Sequence, residues 1–400
     1  MIQVEQIKID LTVPSDEVRM VGLQPYIQLS DTEPFQWPEE EATVQLDSIK
    51  RTLDLAQEQS GGGPAHFTVF PEYSIPGNAG ATIIDERVRS DDWHSQSIVI
   101  AGLHGLTKAE YRELCESLDA NVANENAADA VPDGQWVNCC VIWVKDQDGT
   151  VQRWVQPKIR PAWPERNVAF ADMFLGTTVY VFEIGFAPNT SPCRFVTLVC
   201  YDWVAKNGNT TVIDEVLQQL NAQSGGNPMQ LHWVFVIQHN DSPNHETFLN
   251  STHKFLTDPN SFPLVDTRDA VVFHANTAVS PDPAPQAAGA FSACVLAPGA
   301  HLDVKGCRPT VCMQPNAMRN SDTLIRCKDV VFREMGACIH MFRVRVPRFV
   351  TPDATDRAHP VLDAQVFPTR DSVDPRLCGA AIPAAHPHHH LHKQRLKWPR

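Results

Sequence analysis

From residue 66 onward the chain returns repeatedly to short runs of β-branched and aromatic residues: "HFTVF", "SIVIAGLHG", "VNCCVIWVK", "TVQRWVQPK", "TVYVFEIG", "RFVTLVC", "WVFVIQ", "AVVFHAN" and "SACVLAP". Helical patterns lie between several of them. Strand runs alternating with amphipathic helices specify an α/β fold in which helices cover a sheet. "VRMVGLQ" at 18–24 reads as a first strand, and "TVQLDSIKRTLDLAQE" sets Leu46, Ile49, Leu53 and Ala56 on one helical stripe. "SGGGPA" breaks that helix. Asp148-Gly149 sits between two strand-like runs and marks a hairpin. Residues 107–135 read as a helix followed by an Asn/Ala/Asp-rich surface insertion. "TVIDEVLQQLNA" and "HETFLNSTHKFL" read as two further helices.

These elements form one domain over 18–350, preceded by an N-terminal extension, 1–17. Beyond 350 prolines recur and periodicity fades, so 351–400 reads as an extended arm or a disordered tail. With 43% hydrophobic residues and 20% charged, the chain is globular, with ample core. A formal charge of −14 leaves no general basic surface for phosphates, which disfavours nucleic acid as a partner and favours a small-molecule substrate. No run approaches the roughly 18 apolar residues of a membrane span. The 11 cysteines are odd in number and have no export signal beside them, so a reducing cytoplasm is expected.

Three short segments stand at strand ends, where reactive groups collect in open α/β sheets. In "HFTVFPEYSIPG", Glu72 follows a strand and a proline. A glutamate so placed is as a rule a solvated loop residue, but partial burial would raise its pKa toward that of a general base. In "VQPKIRPAWPERN", Lys158 ends the second hairpin strand, and Glu165 follows seven residues later. It reads as an exposed lysine or as a cation aimed at an oxyanion. In "RFVTLVCYDW", Cys200 closes an apolar run, where a cysteine is by default a small core hydrophobe. The combination changes the odds, because an acid, a lysine and a cysteine follow three separate strands.

That ordered set resembles the nitrilase superfamily, the carbon-nitrogen hydrolases with a Glu-Lys-Cys triad. "VFPEYSIPG" is similar to the family's glutamate segment, "QPKIRPAWPE" to its lysine segment and "VTLVCYDW" to its nucleophile segment. "WVFVIQHNDSPN", "DAVVFHANTAVS" and "AGAFSACVLAPGAH" follow in the family's order, so the likeness runs from about 18 to about 305. The resemblance implies a four-layer α-β-β-α sandwich and self-association into a homodimer or larger homo-oligomer. It implies Cys200 as nucleophile, Glu72 as general base and acid, Lys158 as oxyanion donor, and Glu165 as a supporting acid. In this scheme Lys158 also gives Cys200 thiolate character. The reaction is cleavage of a non-peptide C–N bond in a small amide-type substrate through a thioester, with no metal or organic cofactor. Tyr201-Asp202-Trp203 replaces the Trp-Glu-His common in nitrile-cleaving members, which favours an amide.

Tyr73, His104, Tyr201, Asp202, Trp203 and Asn240 flank the triad segments or end neighbouring strands and are candidates for substrate contact. Asp202 reads either as a partner for a substrate amine or as a cap for the turn after it. Nitrile hydrolysis, acyl transfer and a non-catalytic binding or assembly role are the alternatives. Zinc is disfavoured, since Cys139 and Cys140 point to opposite faces of a strand and "CRPTVC" at 307–312 lacks a second pair. "HPHHHLHK" near the C-terminus reads as an accidental ligand or an expression feature.

Overall fold

The structure is a computed structural model. It describes residues 2–13, 17–58, 63–166, 172–186, 189–208, 210–224, 231–240, 271–278, 293–296, 328–331, 337–345 and 361–369, together with 247, 248, 251, 252 and 255. The helical expectation over 245–256 falls mostly outside these, as do "CRPTVC" and the His-rich segment.

The chain is a mixed α/β protein with two main sheets. Its strands are β1 Gln3–Val13, β2 Glu17–Gln24, β3 Phe67–Ile75, β4 Ser97–Leu103, β5 Leu106–Thr107, β6 Trp136–Val137, β7 Cys139–Lys145, β8 Val151–Pro157 and β9 Thr178–Phe186. They continue with β10 Asn189–Val199, β11 Lys206–Asn207, β12 Thr210–Thr211, β13 Trp233–Ile237, β14 Val271–Ala275, β15 Ala293–Leu296, β16 Lys328–Val331, β17 Cys338–Arg345 and β18 Val361–Pro368. The helices are α1 Glu39–Gln57, α2 Gly77–Arg89, α3 Lys108–Ser117, α4 Trp163–Arg166 and α5 Val212–Gln223. Among the described residues, one seven-stranded sheet has the order β1-β9-β10-β13-β14-β15-β16 and the other β18-β17-β2-β3-β4-β7-β8. β10, β13 and β14 run parallel at the centre of the first, as do β2, β3 and β4 in the second.

Three apolar clusters hold the layers together. The inward faces of both sheets meet in a core containing Met20, Phe67, Ile100, Ile142, Phe182, Phe195, Trp233 and Phe273. Behind the second sheet, α1, α2 and α3 bury Ile49, Leu53, Ile84 and Leu114 against Leu23, Val99 and Val141. Behind the first, α5 buries Val216 and Leu220 against Val181, Leu198 and Val234. The stripe read in α1 is the face that packs, with Ile49, Leu53 and Ala56 buried. Capping boxes start α3 at Thr107/Glu110 and α5 at Thr211/Asp214. Cys139 faces the helices and Cys140 the other sheet, the alternation a strand imposes.

Three expectations are corrected and one is refined. Residues 3–13 are no extension: they form β1, which pairs in parallel with β9 at the sheet's edge. An edge strand with one solvated face mixes charge into its pattern and so hides from a hydrophobicity reading. Residues 361–368 are no arm but β18, antiparallel to β17, a long-range pairing that local pattern cannot reveal. The segment after α3 lies largely at the surface but is not loosely inserted, since Asn126 is fully buried and accepts from Thr177 while Val131 joins the helix-side core. Finally, β3 does not stop before Glu72 but runs through it, with a register shift against β4 between Phe70 and Ile75.

Candidate active site

The β3 irregularity sets the first side chain. Gly102 of β4 lets that strand press against it, since a Cβ there would lie 2.5 Å from Cα of Glu72 and 2.7 Å from O of Pro71. Tyr73 takes a φ of 60°, uncommon for a residue with a side chain. Lys158 follows β8 directly, and its N–H is held by the carbonyl of Asn138 at 2.8 Å. Glu165 lies in α4, a single short turn. Cys200 opens a 3₁₀ turn (Cys200–Trp203) directly after β10, with a φ of 47°. A non-glycine residue held in this region stores backbone strain, which persists only where the surroundings over-determine it.

These residues meet. Lys158 Nζ donates to Glu72 Oε1 at 2.7 Å and to both Glu165 oxygens at 2.8 Å. Glu72 Oε2 accepts the N–H of His239 at 3.0 Å, and the Glu72 charge acts on the Cys200 thiol. Tyr73 donates its hydroxyl to Glu165 Oε1 at 2.6 Å, and its ring lies edge-on to His239. Glu72 and Lys158 are each 1% exposed and Cys200 is 6% exposed, so bulk water does not screen these contacts.

Burial alone would lower the Lys158 pKa, but Glu165 and Glu72 outweigh it and keep the ammonium above the ordinary lysine range. Burial pushes Glu165 up, yet Lys158 and its hydrogen bonds hold it below the usual carboxylate range. Burial, then the Glu72 charge, raises the Cys200 thiol well above its ordinary value, against a smaller opposing pull from Lys158. Lys158 pulls the thiol toward the thiolate, but burial and the Glu72 charge outweigh that pull.

The remaining candidates divide. Tyr73 belongs to the cluster. Asp202 is fully buried and accepts the N–H groups of Arg160 at 2.7 Å, Ile159 at 3.1 Å and Val199 at 3.4 Å. It ties the loop after Lys158 to the turn at Cys200. Trp203 is a core residue, donating to Thr252 and packing on Phe255 and His274, while Tyr201 packs against the same cluster. His104 accepts the N–H of Trp37 through Nδ1, and burial lowers its pKa to about 4. Asn240 pairs with Asn276, its N–H to Oδ1 at 3.0 Å and its carbonyl to Nδ2 at 2.9 Å.

Two participants carried no sequence signal. Asn138 donates to Glu72 and Glu165, and the contribution of His239 comes through its main chain. Among the described residues no cluster of His, Cys, Asp and Glu could hold a metal ion, and no helix is long and apolar enough to cross a membrane.

No protein-family profile matches the chain, and no curated protein does. Among solved structures, an N-terminal amidase aligns over 62% of this chain with 10% identity and a TM-score of 0.33. A cysteine-to-serine variant of an N-terminal amidase aligns over 60% with 8% identity and a TM-score of 0.33. The alignments span 56% and 53% of the amidase chains, little more than half their length.

Proposed function

We propose that this chain is a thiol hydrolase of the nitrilase superfamily, which cleaves the C–N bond of a small amide-type substrate through a thioester on Cys200. One observation carries the reading. Glu72 accepts from the Lys158 ammonium at 2.7 Å and its charge acts on the Cys200 thiol, although the three residues come from three separate segments, within β3, just after β8 and just after β10. Helices packed behind each of the two sheets support the α-β-β-α sandwich that this superfamily implies.

With the thiol protonated at rest, the cycle begins with proton transfer from Cys200 to Glu72 as sulfur attacks the carbonyl carbon. The oxygen of the tetrahedral adduct takes the negative charge and is held by Lys158 Nζ and the N–H of Tyr201. Collapse breaks the C–N bond, and Glu72 passes its proton to the leaving nitrogen. Glu72 then takes a proton from water as it attacks the thioester, and the returning proton restores the thiol. Glu165, braced by Tyr73, keeps Lys158 in place.

The test is intact-protein mass spectrometry of wild type and Cys200→Ala mixed with amides, N-carbamoyl compounds and nitriles. The expected result is an acyl adduct on wild type that the variant lacks, and the adduct's mass identifies the acyl group. Turnover by Cys200→Ala, or a wild type that forms neither adduct nor product with any compound, overturns the hydrolase reading; the latter result favours a binding or assembly module.

A further inference from the structure

Asn138 lies between β6 and β7 and is fully buried. Its Nδ2 donates to Glu72 Oε1 at 2.8 Å and to Glu165 Oε1 at 2.9 Å, while its carbonyl accepts the N–H of Lys158 at 2.8 Å. One residue therefore touches both acids through its side chain and the lysine through its backbone. Its Oδ1 is buried and finds no hydrogen-bond partner among the described residues. Leaving a buried amide oxygen unsatisfied is destabilising, because it gives up its water without a partner in exchange. A flipped amide would instead aim that oxygen at two carboxylates, which is worse. The orientation seen is the one that serves the acids.

The need for such a residue follows from the charges. Glu72, Glu165 and Lys158 together carry two negative charges and one positive in a dry site, with Tyr73 and Cys200 as the neutral titratable groups facing them. Asp202 lies behind the Lys158 loop, on backbone N–H groups. Both Glu165 oxygens bond to Lys158 at 2.8 Å and one also accepts from Tyr73, while Glu72 Oε1 holds the same ammonium at 2.7 Å. Besides Lys158, Oε1 of Glu72 has Asn138. A neutral donor bridging two like charges holds them apart at fixed distance without adding a charge.

We propose that Asn138 is a positioning residue: by bridging Glu72 and Glu165 it keeps Lys158 shared between them and holds Glu72 against the Cys200 thiol. The proposal rests on the reading of these residues as a hydrolytic triad, but its test needs no substrate.

The test is the pH dependence of Cys200 alkylation by iodoacetamide, followed by intact mass in wild type, Asn138→Asp and Asn138→Ser, with thermal melts to establish folding. Asn138→Asp is isosteric and adds a carboxylate beside Glu72, so the alkylation midpoint should rise by about one pH unit or more. Asn138→Ser is too short to reach both acids. Glu72 then loses its fixed place beside the thiol and its charge acts on the sulfur less strongly, so the midpoint should fall, by roughly half a unit or more. Opposite movements support the proposal, whereas general loosening of the site would move both variants the same way. Movement in one direction only, or none in whichever variants fold, overturns it. Unchanged midpoints beside a working thioester cycle defeat the positioning role alone. Opposite shifts in a protein that forms no thioester defeat the hydrolase reading alone.

Discussion

At Cys200 the strained turn and the buried carboxylate act together: φ of 47° directs the chain out of β10, and the Glu72 charge bears on the thiol. The ammonium that would ordinarily favour a thiolate is shared between two acids, so the charge balance of the cluster depends on Lys158. This predicts how stability depends on pH. Lys158 holds the Glu165 pKa below its ordinary value, so this acid's contribution is present at neutral pH and lost as pH falls through its folded pKa. Lys158→Met leaves two buried carboxylates without a counter-ion, at a cost of about 3–5 kcal/mol near neutral pH. Burial then raises the folded pKa of Glu165, so the sign reverses for this acid and the variant grows less stable as pH increases. Urea melts of both proteins between about pH 5 and 8 check this. The variant should also form no thioester, since losing an oxyanion donor removes roughly 2.7–4 kcal/mol of transition-state stabilisation. A variant with the pH slope of the wild type would refute the assigned charge balance.

At the scale of elements, the site is an agreement between the loop after β8 and the turn after β10, and Asp202 makes it. Burial raises its pKa to about 7 against the opposing pull of Lys158 and the backbone N–H groups. Because the folded value is raised, the stabilisation linked to this group is full below the ordinary aspartate range and is lost as pH rises toward about 7. Asp202→Asn removes that titration. The expected outcome is a variant whose stability no longer declines over this window, destabilised overall by about 1–3 kcal/mol because an amide accepts fewer backbone N–H groups. Denaturant midpoints at about pH 5 and 7 decide the matter, and an undiminished decline in the variant would assign the titration elsewhere. The aspartate itself was visible in "VCYDW", but its duty was not, because its partners Ile159 and Arg160 lie more than forty residues away in the chain.

At the scale of the whole molecule, two sheets must keep their faces together for the strand ends to meet. Phe67 of β3 does much of this, with its ring centroid 4.9 Å from Phe235, 5.6 Å from Phe195 and 5.9 Å from Trp233 across the interface. Gln156 of β8 adds a polar tie, donating to the carbonyl of Thr197 at 2.9 Å and accepting the N–H of Tyr180 at 3.1 Å. Phe67→Ala should therefore cost about 3–5 kcal/mol, while Phe67→Leu, which keeps most of the volume, should lose under half of that. Equilibrium unfolding in urea measures both. Equal losses would mean that leucine's volume recovers nothing and that the packing depends on the aromatic ring itself.

The sequence by itself determined the central strands, because buried strands must be apolar along short runs, and the chemistry of the strand ends, because an acid, a lysine and a cysteine are distinct as residue types. It left β1 and β18 hidden, since an edge strand needs no clean apolar pattern and pairing across the chain has no local signature. Asn138 was likewise one asparagine among many until the bulged β3, the hairpin and α4 brought two carboxylates to its amide. Only the tertiary structure decided which charges Lys158 balances, where Asp202 points and whether the Cys200 thiol keeps its proton. Those properties depend on distances of about 3 Å between residues far apart in sequence and on the exclusion of water, and both exist only once the two sheets have closed on each other.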